Sequence, residues 1–307
     1  MSNIGGVGGV SHKHGTLVKR LSIIGVGLIG GSLARALRRM EAVEHITGIG
    51  RGRANLERAK ELGVVDDYSQ DIAAGVKHAD MVVVAVPMGM YDQVFKAMAG
   101  HVKEGCIITD AGSTKQHAIA AAKRYLPNPA MFVAAHPIAG TEQSGVEASF
   151  ADLYIGRTCI LTPVKGTDPA ALKLVEQIWQ VAGSRVDLMD ATTHDDLLAG
   201  VSHLPHIAAF ALVNAVRKHK TGIHDPFSFA AGGFRDFTRI GSSSPQMWRD
   251  IALCNREPLL KRIDALQTEL GRLRAALDRQ DGEALLQEFS EAKTARDAWL
   301  DKHGSGF

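Results

Sequence analysis

Residues 23–37 read "IIGVGLIGGSLARAL". Two isoleucines stand ahead of Gly25, Gly27 and Gly30, and leucines and alanines at helical spacing follow. β-branched residues suit a strand, and the later apolar period suits an amphipathic helix. The stretch therefore reads as strand, tight turn and helix. Each glycine in the G-x-G-x-x-G spacing has its own task. Gly25 permits the turn, Gly27 lets backbone approach a pyrophosphate, and Gly30 allows the helix to pack closely on the strand. With Leu28 and Ile29 in its first turn, the helix would offer unbonded N–H groups and the positive end of its dipole to phosphate.

Outward from this stretch, short β-branched runs alternate with helical ones from about residue 18. The expected strands are "RLSII", "HITGI", "DMVVVAV", "CIITD", "MFVAA", "TCILT" and "RVDLM", with helical segments such as "ANLERAKEL" between most of them. Continuous apolar strands separated by helices signify a mostly parallel sheet covered on both faces. The fold class is α/β, a Rossmann-type doubly wound sheet, followed by an all-helical domain. Residues 1–15 read as a flexible tail, 16–189 as the dinucleotide-binding domain and 190–307 as a helical domain for substrate and dimerisation. The helical part opens with "THDDLLAGVSHLPHIAAFALVNAVRKH", where Asp195 and Asp196 suit a first turn and Pro205 should kink the helix or interrupt its ladder. Two helices at about 256–280 and 282–302 close the chain, and no strand candidate of comparable strength lies beyond 190. Leucines at near-heptad spacing in "LLKRIDALQTELGRLRAAL" serve either packing within the domain or a face shared with a second subunit, giving a homodimer.

Composition narrows the classes. The chain has 307 residues, 45% hydrophobic and 22% charged, with a formal net charge of +2. That balance gives no support to a nucleic-acid surface, and no Lys/Arg stripe interleaved with aromatics is present. Cys106, Cys159 and Cys254 are far apart and show neither a disulfide framework nor zinc spacing; Cys106 and Cys159 sit in apolar runs as core thiols. No unbroken apolar run of membrane-spanning length is apparent, so no membrane partner is expected. The Gly-rich tail, with His12 and His14, lacks the apolar stretch of a secretion signal. The expectation is a cytoplasmic protein acting on a small molecule.

The end of the second strand selects the cofactor. An Asp or Glu there accepts from the ribose 2′-OH of NAD. This chain has "GIGRGRAN" instead, with Arg51 and Arg53 and no carboxylate. A guanidinium suits a 2′-phosphate, so NADP is preferred over NAD. Val86 and Pro87, which end the run "VVVAVP", complete the expected cofactor-binding set.

Three segments should converge at the carboxyl edge of the sheet, where ligands bind in open α/β folds. The run to Pro87 is one, "IITDAGSTK" with Ser113 and Lys115 is the second, and "AAHPIAGTEQSG" at 134–145 is the third. Pro137 and Gly140 should stop the third strand and leave His136 at the mouth of a loop. A hydroxyl and an imidazole then meet backbone N–H groups where a nicotinamide would lie. An imidazole that takes a proton while hydride leaves the same carbon is what alcohol oxidation requires.

Taken with "SHLPH" and "GGFRDFTRI", these motifs resemble the prephenate/arogenate dehydrogenases of tyrosine biosynthesis, from about residue 18 to the end. The resemblance implies NAD(P)-linked oxidative decarboxylation of prephenate to 4-hydroxyphenylpyruvate, of arogenate to tyrosine, or of both, in a cleft between the two domains. It further implies His136 as proton acceptor, Ser113 as a hydroxyl beside the 4-OH, and Thr141 in a loop touching substrate. Arg239 would bind carboxylate, with Arg235 as nearer competitor or surface ion pair. His206 would face substrate and His203 would order the site. Trp248 would close the pocket or belong to the core. His203 and His206 lack a third ligand, so no metal is expected. Two rivals remain. One is a β-hydroxyacid or 6-phosphogluconate-type dehydrogenase using Lys115 as base. The other is a non-catalytic NADP-sensing protein.

Overall fold

The computed structural model describes residues 15–141, 143–218 and 224–303. The expected tail, with His12 and His14, lies outside the described residues apart from Gly15. The chain divides into two compact units after His194.

The first unit runs β1 (Val18–Ile24), α1 (Leu28–Arg39), β2 (Val43–Ile49), α2 (Arg53–Glu61), β3 (Asp67–Ser69), α3 (Ile72–Val76) and β4 (Met81–Val84). It continues with α4 (Tyr91–Met98), β5 (Ile107–Asp110), α5 (Lys115–Tyr125) and β6 (Phe132–Val133). The sheet order is β3-β2-β1-β4-β5-β6, and every neighbouring pair is parallel. The order reverses beside β1, so β1 and β4 flank the switch point where a doubly wound sheet opens a crevice. Ile23, Ile24, Val82, Val83 and Val84 are all buried, because helices cover both faces of a parallel sheet. β3 was not among the expected strands. Its "DYS" carries no apolar run, and it forms through backbone pairing with Thr47–Ile49.

The expected strand "MFVAA" is corrected: it divides between two sheets. β6 ends at Val133, and β7 (Ala135–Pro137) pairs antiparallel with β8 (Thr158–Leu161), which runs parallel to β9 (Arg185–Leu188). His136 therefore does not start a loop. It is the middle residue of β7, opposite Ile160. The hand-over occurs at Ala134, whose carbonyl accepts from the Thr162 N–H at 2.9 Å. Pro137 takes part in the pairing at a strand end, where its missing N–H is tolerated. α6 (Pro169–Val181) carries the fully buried Trp179, whose ring meets Tyr154 edge-on at 5.2 Å. Cys106 and Cys159 are buried, and burial pushes the Cys106 thiol up to about 12.

Among the described residues the helices that follow are α7 (Ala191–Leu198), a π-helical turn Ala199–His203, α8 (Leu204–Lys218), α9 (Gly232–Thr238), α10 (Pro245–Cys254), α11 (Arg256–Asp278) and α12 (Gly282–His303). Asp195 and Asp196 do not lie in the first turn as expected. Asp190 stands ahead of that turn and accepts from the N–H groups of Thr192 and Thr193 at 3.0 and 2.9 Å. Pro205 acts through the turn before it. The Leu204 N–H reaches back five residues to the Ala199 carbonyl, and this wider turn carries the chain past the proline.

No unbroken run of apolar residues is present there, yet the helix from Ala191 to Lys218 is, by length and average composition alone, long and apolar enough to cross a membrane. Its leucines and alanines outweigh Ser202, His203 and His206 in the average, although these break the run when it is read residue by residue.

The glycine turn makes a stability test. A Cβ on Gly30 would lie 2.3 Å from the Gly25 carbonyl oxygen, whereas one on Gly27 would meet nothing within 4 Å. Gly30→Ala should lose about 1–3 kcal/mol in denaturant unfolding, and Gly27→Ala should stay within about 0.5 kcal/mol of the parent. Equal losses would contradict this packing.

Candidate active site

The glycine turn is built as its sequence requires. Gly25 has φ of +98°, a conformation that side chains strain to adopt. A Cβ there would strike the Ala85 carbonyl oxygen at 2.3 Å and meet Val86 at 3.0 Å, so Val86 lines the turn. Pro87 follows, exposed at the sheet edge. α1 begins after Gly27 with no side-chain cap and no acidic residue in its first turn. The N–H groups of Leu28, Ile29 and Gly30 thus have no helical acceptor, and a phosphate fits that end. Open space at Gly27 gives the cradle a dinucleotide needs. Two supports lie far away in sequence. The Tyr154 hydroxyl donates to the Ile29 carbonyl at 2.6 Å, and Asn55 Nδ2 donates to the Val26 carbonyl at 2.8 Å.

At the end of β2, Arg51 and Arg53 are both exposed but differ in their engagement. Arg53 Nε is held by Glu57 at 2.8 Å, an i,i+4 pair on α2. The Arg51 backbone carbonyl accepts from Gln70 Nε2 at 2.7 Å, which fixes the loop that presents the side chain.

His136 is fixed from several directions. Asp110, at the end of β5, is fully buried and gathers four donors. Its Oδ2 accepts from Tyr91 Oη at 2.7 Å, Gly112 N at 3.0 Å and Lys115 Nζ at 2.6 Å, and its Oδ1 accepts from Ala135 N at 2.9 Å. Lys115 Nζ also donates to the Ala135 carbonyl at 2.5 Å. Both backbone groups of the residue before His136 are therefore clamped by one buried ion pair. Ser113, half-buried, occupies the short link between Gly112 and α5. His136 Nδ1 lies 2.9 Å from Nε2 of the fully buried His194, with the rings edge to face. Thr141 is exposed, and its hydroxyl accepts from Gln143 N at 3.2 Å. The rival that used Lys115 as base does not suit this geometry. A lysine with no exposure, bonded to a carboxylate and a carbonyl, is structural.

In the helical unit, His203 and His206 share a face as their spacing implies, and Trp248 lies against both. His206 stacks on the indole at 3.6 Å between centroids, and His203 meets it edge-on at 6.0 Å. Trp248 is buried, with 6% of its surface exposed. Asn255 Nδ2 donates to His203 Nδ1 at 2.9 Å and to the Asp195 carbonyl at 2.8 Å, so the neutral His203 carries its proton on Nε2. His206 Nδ1 donates to the Ser202 carbonyl at 3.0 Å, leaving Nε2 as the acceptor nitrogen. Burial holds the His206 imidazole below its ordinary value, against the weaker opposite effect of the Ser202 carbonyl. Arg239 is exposed, immediately after α9. Arg235 pairs with its neighbour Asp236 at 3.1 Å on the surface. Sequence reading missed Asn55, Tyr154, His194 and Asn255. It placed Asp110 at a strand end but gave it no role.

The parallel sheet in this order, with the glycine turn at its first crossover, is the frame of a dinucleotide-binding enzyme domain. Two family models match the chain: prephenate dehydrogenase, nucleotide-binding domain, over residues 33–188, and prephenate dehydrogenase, dimerization domain, over residues 190–291. The chain belongs to the prephenate/arogenate dehydrogenase family. It is 38% identical over 289 residues to cyclohexadienyl dehydrogenase of Zymomonas mobilis, covering 94% of this chain and 98% of that one. It is 37% identical over 277 residues to prephenate dehydrogenase of Bacillus subtilis, covering 90% and 74% respectively. Among solved structures, prephenate dehydrogenase from A. aeolicus in complex with hydroxyphenyl propionate and NAD+ superposes with a TM-score of 0.86. The two share 37% identity, over 91% of this chain and 98% of that one.

Two tests address the local chemistry. Lys115→Met strands the Asp110 carboxylate in the core and should cost about 3–5 kcal/mol in denaturant unfolding; a neutral result would mean the clamp is not needed. His206 gives a pH test. Its folded-state value is depressed, so its contribution to stability is full above the free value of 6.5 and is lost as pH falls through the folded value. Between about pH 7.5 and about pH 5.5, His206→Phe should lose less thermal stability than the parent. Parallel melting curves would exclude the effect.

Proposed function

We infer that this chain carries out the oxidative decarboxylation of prephenate, arogenate or both, coupled to reduction of NAD(P), in tyrosine biosynthesis. The observation that carries the reading is His136 in β7, its strand clamped to Asp110 at the carboxyl end of β5, in the unit whose first crossover bears the glycine turn.

The dinucleotide would rest against the N–H groups of Leu28, Ile29 and Gly30, over Gly27 and beside Val86 and Pro87. When bound, its oxidised nicotinamide supplies the hydride acceptor for the ring carbon bearing the 4-hydroxyl. His136 takes the hydroxyl proton at its imidazole, so that oxygen can form a carbonyl as that carbon is oxidised. The resulting dienone loses its ring carboxylate as CO₂, and the electron pair left behind makes the ring aromatic. The phenolate oxygen then recovers a proton from His136. Ser113 orients the 4-hydroxyl. Arg239 offers a bidentate partner to a substrate carboxylate, which lysine would not. His206 and Thr141 face substrate, His203 keeps the helical site in order, and Trp248 closes over it. Every one of these tasks is orientation or charge placement.

NADP is the preferred nucleotide in this reading. Arg51 has no carboxylate at its strand end, while Arg53 is occupied by Glu57. The A. aeolicus relative was crystallised with NAD+, so the two nucleotides are to be compared directly. A homodimer through the helical unit is also part of the reading. Leu270, Leu277, Leu286 and Phe289 are exposed on α11 and α12, and the matching family model is a dimerization domain. The enzyme is read as cytoplasmic, with no nucleic-acid or membrane partner.

The deciding experiment crosses prephenate and arogenate with NADP and NAD and follows formation of the reduced nucleotide. Turnover in at least one combination is expected, and none from folded protein would overturn the reading. His136→Asn should lower kcat about 10²–10⁴-fold. Arg51→Ala should weaken NADP about tenfold or more and leave NAD unchanged.

A further inference from the structure

His194 has no part in the chemistry so far. It is a fully buried imidazole on α7 whose Nε2 lies 2.9 Å from His136 Nδ1. At that separation the two nitrogens share one hydrogen, carried by one ring and accepted by the other. The two arrangements have different chemical consequences. If His194 donated, neutral His136 would hold its own hydrogen on Nε2, and neither ring nitrogen could take a proton from substrate. If His136 donates from Nδ1, its Nε2 carries the lone pair.

We propose that His194 is a positioning residue for His136. Its Nε2 accepts the His136 Nδ1–H and so fixes the tautomer in which Nε2 is the base. The inference rests on the reading of His136 as proton acceptor. It assigns to His194 the task that a carboxylate performs in a Ser-His-Asp triad, here done by a neutral acceptor. Three features suit it to that task. Burial on all sides locks the ring, so its nitrogen stays in place. The rings meet at 62° with centroids 5.1 Å apart, which lets an N–H of one point at an in-plane lone pair of the other. The Asp110–Lys115 pair holds the backbone of Ala135, so His136 cannot drift from its partner. When His136 takes the substrate proton, its Nδ1–H becomes a charged donor and the bond to His194 strengthens. The proton does not pass on to His194. It stays on His136 Nε2 and returns to the phenolate oxygen after CO₂ leaves.

The test compares His194→Leu, which removes the acceptor, with His194→Gln, whose amide oxygen can occupy the place of Nε2. Steady-state kinetics are run on the full chain with the substrate and nucleotide that the parent turns over best. His194→Leu should lower kcat about 10²-fold or more, with KM and nucleotide affinity within about threefold. His194→Gln should recover to within about tenfold of the parent. A folded His194→Leu protein with parental kcat would overturn the proposal. So would a His194→Gln protein as slow as His194→Leu, since packing alone would then explain the loss. His136→Asn, assayed in parallel, separates the two levels: parental activity there would sink the reading of His136 itself. If His194→Leu does not fold, the ¹⁵N shifts of the imidazoles in the unaltered protein decide. The His136 signals, assigned by their loss in His136→Asn, should be those of an Nδ1–H ring at neutral pH. An Nε2–H ring would overturn the assignment.

Discussion

Asp110 is the carboxylate on which the segments at the ends of β5 and β6 converge. Buried without exposure, it has to satisfy four lone-pair directions from the protein itself. It does so with a tyrosine hydroxyl, the N–H of Gly112, the lysine ammonium and the N–H of Ala135. These donors come from α4, the link after β5, α5 and β7. A buried ion pair adds little to stability against a well-packed apolar substitute, yet removing one partner is costly. Here its contribution is geometric. It joins the segment carrying Ser113 to the strand carrying His136 without engaging either of those side chains.

The two imidazoles beside Trp248 follow one rule: a ring nitrogen already engaged by the protein determines what the other can do. His203 accepts at Nδ1 from Asn255 and holds a hydrogen at Nε2. His206 donates at Nδ1 to the Ser202 carbonyl and keeps an acceptor at Nε2. The π-helical turn before Pro205 contributes locally, because Ser202 and His203 both lie within it. A residue that would ordinarily break a helix thus stands beside a widened turn whose polar groups are put to use.

Much of the fold was legible in the residues alone. The glycine spacing, the β-branched runs and the helical periods announce the parallel sheet, because each is a local consequence of backbone sterics and of burying one face. The helices at 256–280 and 282–302 emerge within two residues of their observed ends for the same reason. β3 did not announce itself, since three residues without an apolar run have no periodicity to read. His136 and the His203–His206 pair drew attention because they stand in motifs with proline or glycine nearby. Asn255 and Tyr154 stand in ordinary helical or loop sequence, and nothing local marks them.

What the sequence determined by itself is therefore the set of short-range features: the turn at Gly25, the cap-free helix start beyond Gly27, and the absence of a carboxylate beside Arg51. Only the tertiary structure decided that "MFVAA" divides between two sheets and that His136 stands within a strand. It also decided that Lys115 is buried as a clamp rather than offered as a base, and that His194 meets His136. The physical reason is the range of the interactions. Backbone sterics act over a few residues and can be read along the chain. A hydrogen bond between residues 58 apart depends on where the whole fold brings them together.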